Sequence, residues 1–196
     1  MKIAYQKFFF TGIALAALLA GCGNGADVTD QGERSETQEM AEVSTEEEIE
    51  ASQIAFTCRD MDGNAVSDTV FSESKLTMVN VWATYCNPCL SEMPGLGELA
   101  GEYEPEEFQI IGIISDVMEG ADEAAIDNAA ALIEATGADY THLLLNESVY
   151  YALLTEVTAV PTTFFVDENG VVLDTVIGAM QKSAWEEKIN GLLEER

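Results

Sequence analysis

Basic residues are scarce in this 196-residue chain: 8 Lys and Arg stand against 36 Asp and Glu, a formal net charge of −28. A phosphate backbone is held through clustered Lys and Arg that release its counterions. No such stripe exists here, so the composition argues against nucleic-acid binding. Histidine occurs once, as His142, and cysteine four times, as Cys22, Cys58, Cys86 and Cys89. Four unevenly placed cysteines do not make a small disulfide-stapled scaffold. What is present in quantity is apolar mass, 47% of residues with 8% aromatic. That is enough for one packed core and argues against global disorder.

The two ends of the chain are different materials. Lys2 and Lys7 precede an apolar run from Phe8 to Ala20, too short for a bilayer crossing of about 20 residues but matching a signal peptide over residues 1–21. The segment Leu19-Ala20-Gly21-Cys22 resembles the lipobox of bacterial lipoproteins, which implies lipidation of Cys22 and cleavage before it. Several acyl chains anchor durably, because each buried CH₂ contributes about 0.8 kcal/mol. Residues 22–53 are rich in Glu, Asp, Ser, Thr and Gln without hydrophobic period. They read as an acidic, disordered tether that cannot offset its chain entropy. Residues 54–196 are one domain's worth of chain.

Within that domain, Ile54–Arg59 and Ala65–Phe71 flank the turn cluster Met61-Asp62-Gly63-Asn64 and predict an entry hairpin. Leu76–Ala83 predicts a buried strand running into Cys86. From Cys86 to Tyr103 the apolar positions follow helical spacing, with Pro94 inside. Phe108–Ile114 reads as a central strand buried on both faces. Ala121–Ala135 reads as a helix ended by Gly137, and Tyr140–Leu145 as a strand. Ser148–Thr155 predicts a short helix with Ser148 as N-cap. Thr162–Val166 and Val171–Ile177 flank Asp167-Glu168-Asn169-Gly170 as a hairpin, and Gln181–Glu195 closes the chain as an amphipathic helix. The pattern is α/β with a central mixed sheet.

Cys86 and Cys89 carry the chemistry. A cysteine where a strand meets a helix sits among free N–H groups and the positive end of the helix dipole. Its pKa falls from about 8.5 toward the range where thiolate exists at neutral pH. One turn on, a second cysteine resolves the mixed disulfide formed by the first. Pro88 at an early helix position loses only an N–H that would have lacked a partner. Zinc would need two more ligands, and the chain offers only His142, Cys58 and carboxylates without paired spacing. A c-type haem attachment needs His at position 90, which is Leu. A purely structural bridge across so short a loop adds little stability.

The segment Val81-Trp82-Ala83-Thr84-Tyr85-Cys86-Asn87-Pro88-Cys89-Leu90-Ser91-Glu92-Met93-Pro94 resembles the active-site region of thioredoxin-fold proteins of the TlpA/ResA group. Asp60–Val66 is similar to that group's entry hairpin, Val160-Pro161-Thr162-Thr163-Phe164 to its cis-proline loop, Asp167–Gly170 to its last hairpin and Gly178 to the glycine that follows. The resemblance implies a thioredoxin-like fold with an N-terminal β-hairpin extension over residues 54–196. It implies a protein thiol–disulfide oxidoreductase on the extracytoplasmic face of a bacterial membrane, lipid-anchored through Cys22, with reduction of its partner as the favoured direction. No cofactor or metal is needed. Cys86 would attack and Cys89 resolve. Glu92, one helical turn beyond Cys89, would carry the proton if shielded from water. Pro161 would be cis, with Val160 and Tyr85 contacting the partner; Tyr85 stands where the group usually has Trp. Electrons would come from a membrane thiol reductase of the CcdA/DsbD kind, and the partners would be disulfides in exported proteins or in a downstream reductase. A thiol peroxidase and a non-catalytic thioredoxin-fold binding module remain as alternatives. Cys58, Trp82, Phe164 and Phe165 are expected in the core, His142 in a structural or exposed place, and Asp116 near the active-site edge.

Overall fold

The computed structural model describes residues 53–196. The expected signal peptide, Cys22 and nearly all of the tether lie outside the described residues. The chain folds as a short antiparallel hairpin, β1 (Thr57–Arg59) and β2 (Ala65–Ser67), followed by a five-stranded sheet. The sheet comprises β3 (Leu76–Trp82), β4 (Phe108–Met118), β5 (Thr141–Leu145), β6 (Thr162–Asp167) and β7 (Val172–Ile177), in the order β5-β4-β3-β6-β7. β3, β4 and β5 run parallel, and β6 and β7 are antiparallel to their neighbours. Helices α1 (Asn87–Ala100) and α2 (Glu123–Thr136) make the crossovers between the parallel strands, and α4 (Lys182–Glu194) follows the final hairpin. A short α3 (Glu147–Val149) continues into a π-helical turn at Tyr150–Leu154.

Side-chain alternation divides the core. Val79, Val81, Ile111 and Ile113 point to the face covered by Phe56, Phe71 and Leu153. Trp82 and Ile114 meet Cys89 and Met93 of α1 on the other face, where Met78, Ile110 and Phe165 pack against Trp185 of α4. Phe164 is only partly buried. Two glycines permit close approach. A Cβ at Gly97 of α1 would stand 2.1 Å from the carbonyl oxygen of Gly137, which ends α2 at φ 65°. A Cβ at Gly112 of β4 would stand 2.2 Å from His142 Nδ1.

Three local expectations need correction. The second hairpin strand stops at Ser67, because the Ser67 side chain caps a 3₁₀ turn at Asp68–Glu73 by accepting from Thr69 N. α3 is capped by Asn146, whose Oδ1 accepts from Val149 N at 2.9 Å. Ser148 lies inside that turn, and its hydroxyl oxygen accepts from Thr57 N at 3.0 Å. β4 runs four residues past Ile114, where the Ser115 hydroxyl holds Trp82 O at 2.9 Å.

His142 is buried and structural. Its Nδ1 accepts from Trp82 Nε1 at 3.2 Å, its Nε2 pairs with Ala138 O at 3.0 Å, and burial pulls its pKa down to about 4 from 6.5. The fold therefore holds it neutral while the unfolded chain takes up a proton near 6.5. Its contribution to stability is whole above that pH and is lost as pH falls toward 4, about 3 kcal/mol in all. Stability of His142→Gln is expected to fall less steeply between pH 6.5 and pH 4 than that of the wild type. Parallel pH curves from denaturant titration would refute this.

Candidate active site

β3 delivers the chain to the site and α1 begins there. The connecting residues are tied to the end of β4: Thr84 N and Oγ1 donate to the Asp116 carboxylate at 3.0 and 2.6 Å. Cys86 is then the N-cap of α1, with extended backbone (φ −87°, ψ 92°), and its Sγ accepts from Cys89 N at 3.2 Å. Pro88 occupies the first turn. One helical N–H thus points at the Cys86 sulfur at the positive end of α1, an arrangement that favours a thiolate there.

Cys86 and Cys89 are joined in a disulfide, their Cα atoms 5.3 Å apart. Cys86 keeps 5% of its surface and Cys89 none. Access therefore falls to Cys86, while Cys89 can react only from within the protein. Beside Cys86 opens a groove of about 250 Å³ lined by Val81, Tyr85, Ser115, Tyr150 and Val160. Tyr85 is 73% exposed at its rim. The Val160-Pro161 bond is cis, Val160 packs against the apolar cluster that holds both cysteines, and Pro161 O accepts from Gly178 N at 2.9 Å.

Glu92 lies one turn beyond Cys89 and is buried, with 6% of its surface exposed. Three N–H groups meet its carboxylate: Asn80 Nδ2 donates to Oε1 at 3.1 Å, and Met180 N and Trp185 Nε1 to Oε2 at 3.0 and 3.2 Å. Burial raises its pKa above the usual carboxylate value, and the three hydrogen bonds pull the other way without cancelling the rise. It is a buried, hydrogen-bonded acid that holds its proton more tightly than a solvated carboxylate does.

The structure thus sets Cys86 at the N-cap of α1 and Cys89 and Glu92 within it, with Tyr85 and Val160 lining the groove and Pro161 following Val160 through the cis bond; Cys22 lies outside the described residues. Cys58 sits in the cluster on the opposite face of the sheet, and burial, then Glu119 and Asp60, push its thiol up to about 12. It is inert packing. Sequence reasoning missed Asn80, Met180, Trp185 and Tyr150. Asn80 left one signal, an amide within the buried, mostly apolar run of β3, where the other polar residue is Thr77. Among the described residues no three His, Cys, Asp or Glu side chains converge to hold a metal ion, and no helix is long and apolar enough to cross a membrane.

The model of the AhpC/TSA family matches residues 49–175. Thioredoxin-like protein YneN of Bacillus subtilis is 28% identical over 119 residues, covering 61% of this chain and 66% of YneN. Thiol-disulfide oxidoreductase ResA of Oceanobacillus iheyensis is 29% identical over 121 residues, covering 61% of this chain and 58% of ResA. The chain therefore spans under two thirds of the length of these two relatives. A thioredoxin-family thiol:disulfide interchange protein from Chlorobium tepidum superposes with a TM-score of 0.61 at 22% identity, over 72% of this chain and 94% of the other. The fold is thioredoxin-like, with the expected hairpin at its entry.

Because Glu92 binds its proton more tightly folded than unfolded, the stability it contributes is whole below the ordinary value of 4.5 and is lost as pH rises through the raised one. Glu92→Gln removes that titration. The melting temperature of the variant minus that of the wild type is expected to grow more positive from about pH 4 to about pH 8. A constant difference would count against a raised Glu92.

Proposed function

The chain belongs to the AhpC/TSA family, and from that premise we propose that it is a thiol–disulfide oxidoreductase acting outside the cytoplasm, held to a bacterial membrane by lipid on Cys22. The observation that carries this reading is the disulfide at the start of α1, with one sulfur reachable and the other sealed. The names of the relatives support it.

In the reducing direction the dithiol form acts. The Cys86 thiolate attacks one sulfur of a partner disulfide; the S–S bond breaks, and the departing partner sulfur takes up a proton. Glu92, as carboxylate, accepts the proton of Cys89, whose thiolate attacks the Cys86 sulfur of the mixed disulfide. The second partner thiolate leaves and is protonated. The partner has gained two electrons and two protons, and the chain is left with the Cys86–Cys89 bond that the structure holds. Tyr85 and Val160 guide the partner's extended backbone to Cys86, next to Pro161. Electrons return from a membrane thiol reductase of the CcdA/DsbD kind, and the partners are disulfides of exported proteins or of a downstream reductase.

Cys86→Ser is expected to reduce insulin-type disulfide reduction by at least about a hundredfold, the scale of losing an activated nucleophile. Cys89→Ser is expected to accumulate a mixed disulfide through Cys86, visible on non-reducing gels. Full activity in the double serine variant would sink the oxidoreductase reading. Peroxide consumption through Cys86 that outpaces disulfide reduction would make the chain a thiol peroxidase instead. For the direction of electron flow, equilibration with glutathione is expected to give a potential nearer the thioredoxin value of about −270 mV than the DsbA value of about −120 mV.

A further inference from the structure

Among the described residues, two buried side-chain polar atoms lack a hydrogen-bond partner: Asn80 Oδ1 and Tyr140 Oη. Buried polar atoms are rarely left so, because desolvation is then uncompensated. Both belong to the layer between the sheet and α1. The strand register sets Asn80, Gly112 and His142 side by side on β3, β4 and β5. Gly112 offers no side chain, and the His142 ring leans into that space, as the 2.2 Å approach to a Cβ there shows. Tyr140 lies on that ring, with centroids 4.5 Å apart, and packs against both apolar clusters that α1 buries. Asn80 thus stands on the β3 side of Gly112, and Tyr140, just ahead of β5, on the other side. The other end of the Asn80 amide is already engaged, Nδ2 donating to Glu92 Oε1 and Thr163 Oγ1 at 3.1 Å each.

We propose that Tyr140 Oη and Asn80 Oδ1 share one buried water, and that this makes Tyr140 a positioning residue for Glu92. The water accepts from the Tyr140 hydroxyl and donates to Asn80 Oδ1. An amide polarised at its oxygen is a stronger donor at its nitrogen, so the chain ends in a firmer hydrogen bond to the Glu92 carboxylate. A buried water makes about two to four hydrogen bonds, and these two atoms supply the lower number. Burial first, and the Glu92 charge second, hold the phenol in its protonated, donating form. Of the other groups on neighbouring elements, Cys89 on the same helix is tied in the disulfide and does not titrate, and His142 on β5 is neutral. Lys182, at the start of α4, is held by Glu98 and Glu102. The functional consequence rests on Glu92 being the proton carrier of thiol–disulfide exchange.

Tyr140→Phe in the full chain keeps the ring on His142 and removes only the hydroxyl. With ¹³C-labelled glutamate, and Glu92→Gln to assign the signal, the Glu92 carboxyl carbon is expected to titrate about 0.5 unit higher than in the wild type, about threefold weaker as an acid. The variant is also expected to melt at a lower temperature, since a bonded hydroxyl has been lost. An unmoved Glu92 titration overturns the proposal. A higher melting temperature overturns it too, for that is the mark of a hydroxyl that had no partner to lose. Neither readout depends on turnover. If Glu92→Gln leaves the pH profile of exchange unaltered, the proton-carrier reading fails, while the hydrogen-bond chain is still decided by the titration and the melt.

Discussion

A carboxylate placed beneath a helix must be met by donors, and in this protein much of the architecture is arranged around that requirement. Glu92 sits under α1, and the hydrogens that reach it come from the middle of the sheet at Asn80, from the segment before α4 at Met180, and from α4 itself at Trp185. Trp185 is at once a donor to Glu92 and a fully buried anchor of α4 against Phe165. The docking of the last helix and the electrostatics of the site are therefore one problem. The solution leaves the carboxylate under-compensated, with its proton held more tightly than usual.

The fold was legible because its signals are local. Apolar runs, alternation and the turn residues at Met61–Asn64 and Asp167–Gly170 each specify an element within a few residues, and parallel strands separated by helices leave few topologies. Cys86 and Cys89 were legible for the same reason, one at the N-cap and one a turn further in, whereas Glu92 was singled out by resemblance and only its one-turn distance from Cys89 was local. The donors to Glu92 were not, because Met180 and Trp185 stand 88 and 93 residues away in sequence. Spacing says nothing about such a meeting. The cis bond before Pro161 came from resemblance alone, as no local rule marks one proline in four. Ser148 misled as a cap because Asn146, two residues earlier, has equal chemistry and the better reach.

The acidity noted at the outset has a structural counterpart. Five basic residues fall among the described residues. Lys75, Lys182, Lys188 and Arg196 are paired with carboxylates, and Arg59 donates to Gly63 O. Exposed pairs of this kind add little stability, but they leave the surplus negative charge to dominate the surface. The groove beside Cys86 is different, since no Asp, Glu, Lys or Arg lines it. Tyr85 and Tyr150 give it aromatic surface, and the rest of its lining is aliphatic or hydroxyl-bearing.

The meeting of Gly112 with His142 carries a consequence for how the sequence can drift. A methyl group at position 112 would collide with the imidazole, and loss of the imidazole would open a hollow beside Trp82 and strip its indole N–H of an acceptor. Either change alone is costly, whereas a larger residue on β4 that itself accepts a hydrogen bond, with a smaller one on β5, restores both the volume and the acceptor. Two positions thirty residues apart therefore behave as a single heritable unit, and descendants of this chain would be expected to keep both residues or to exchange both.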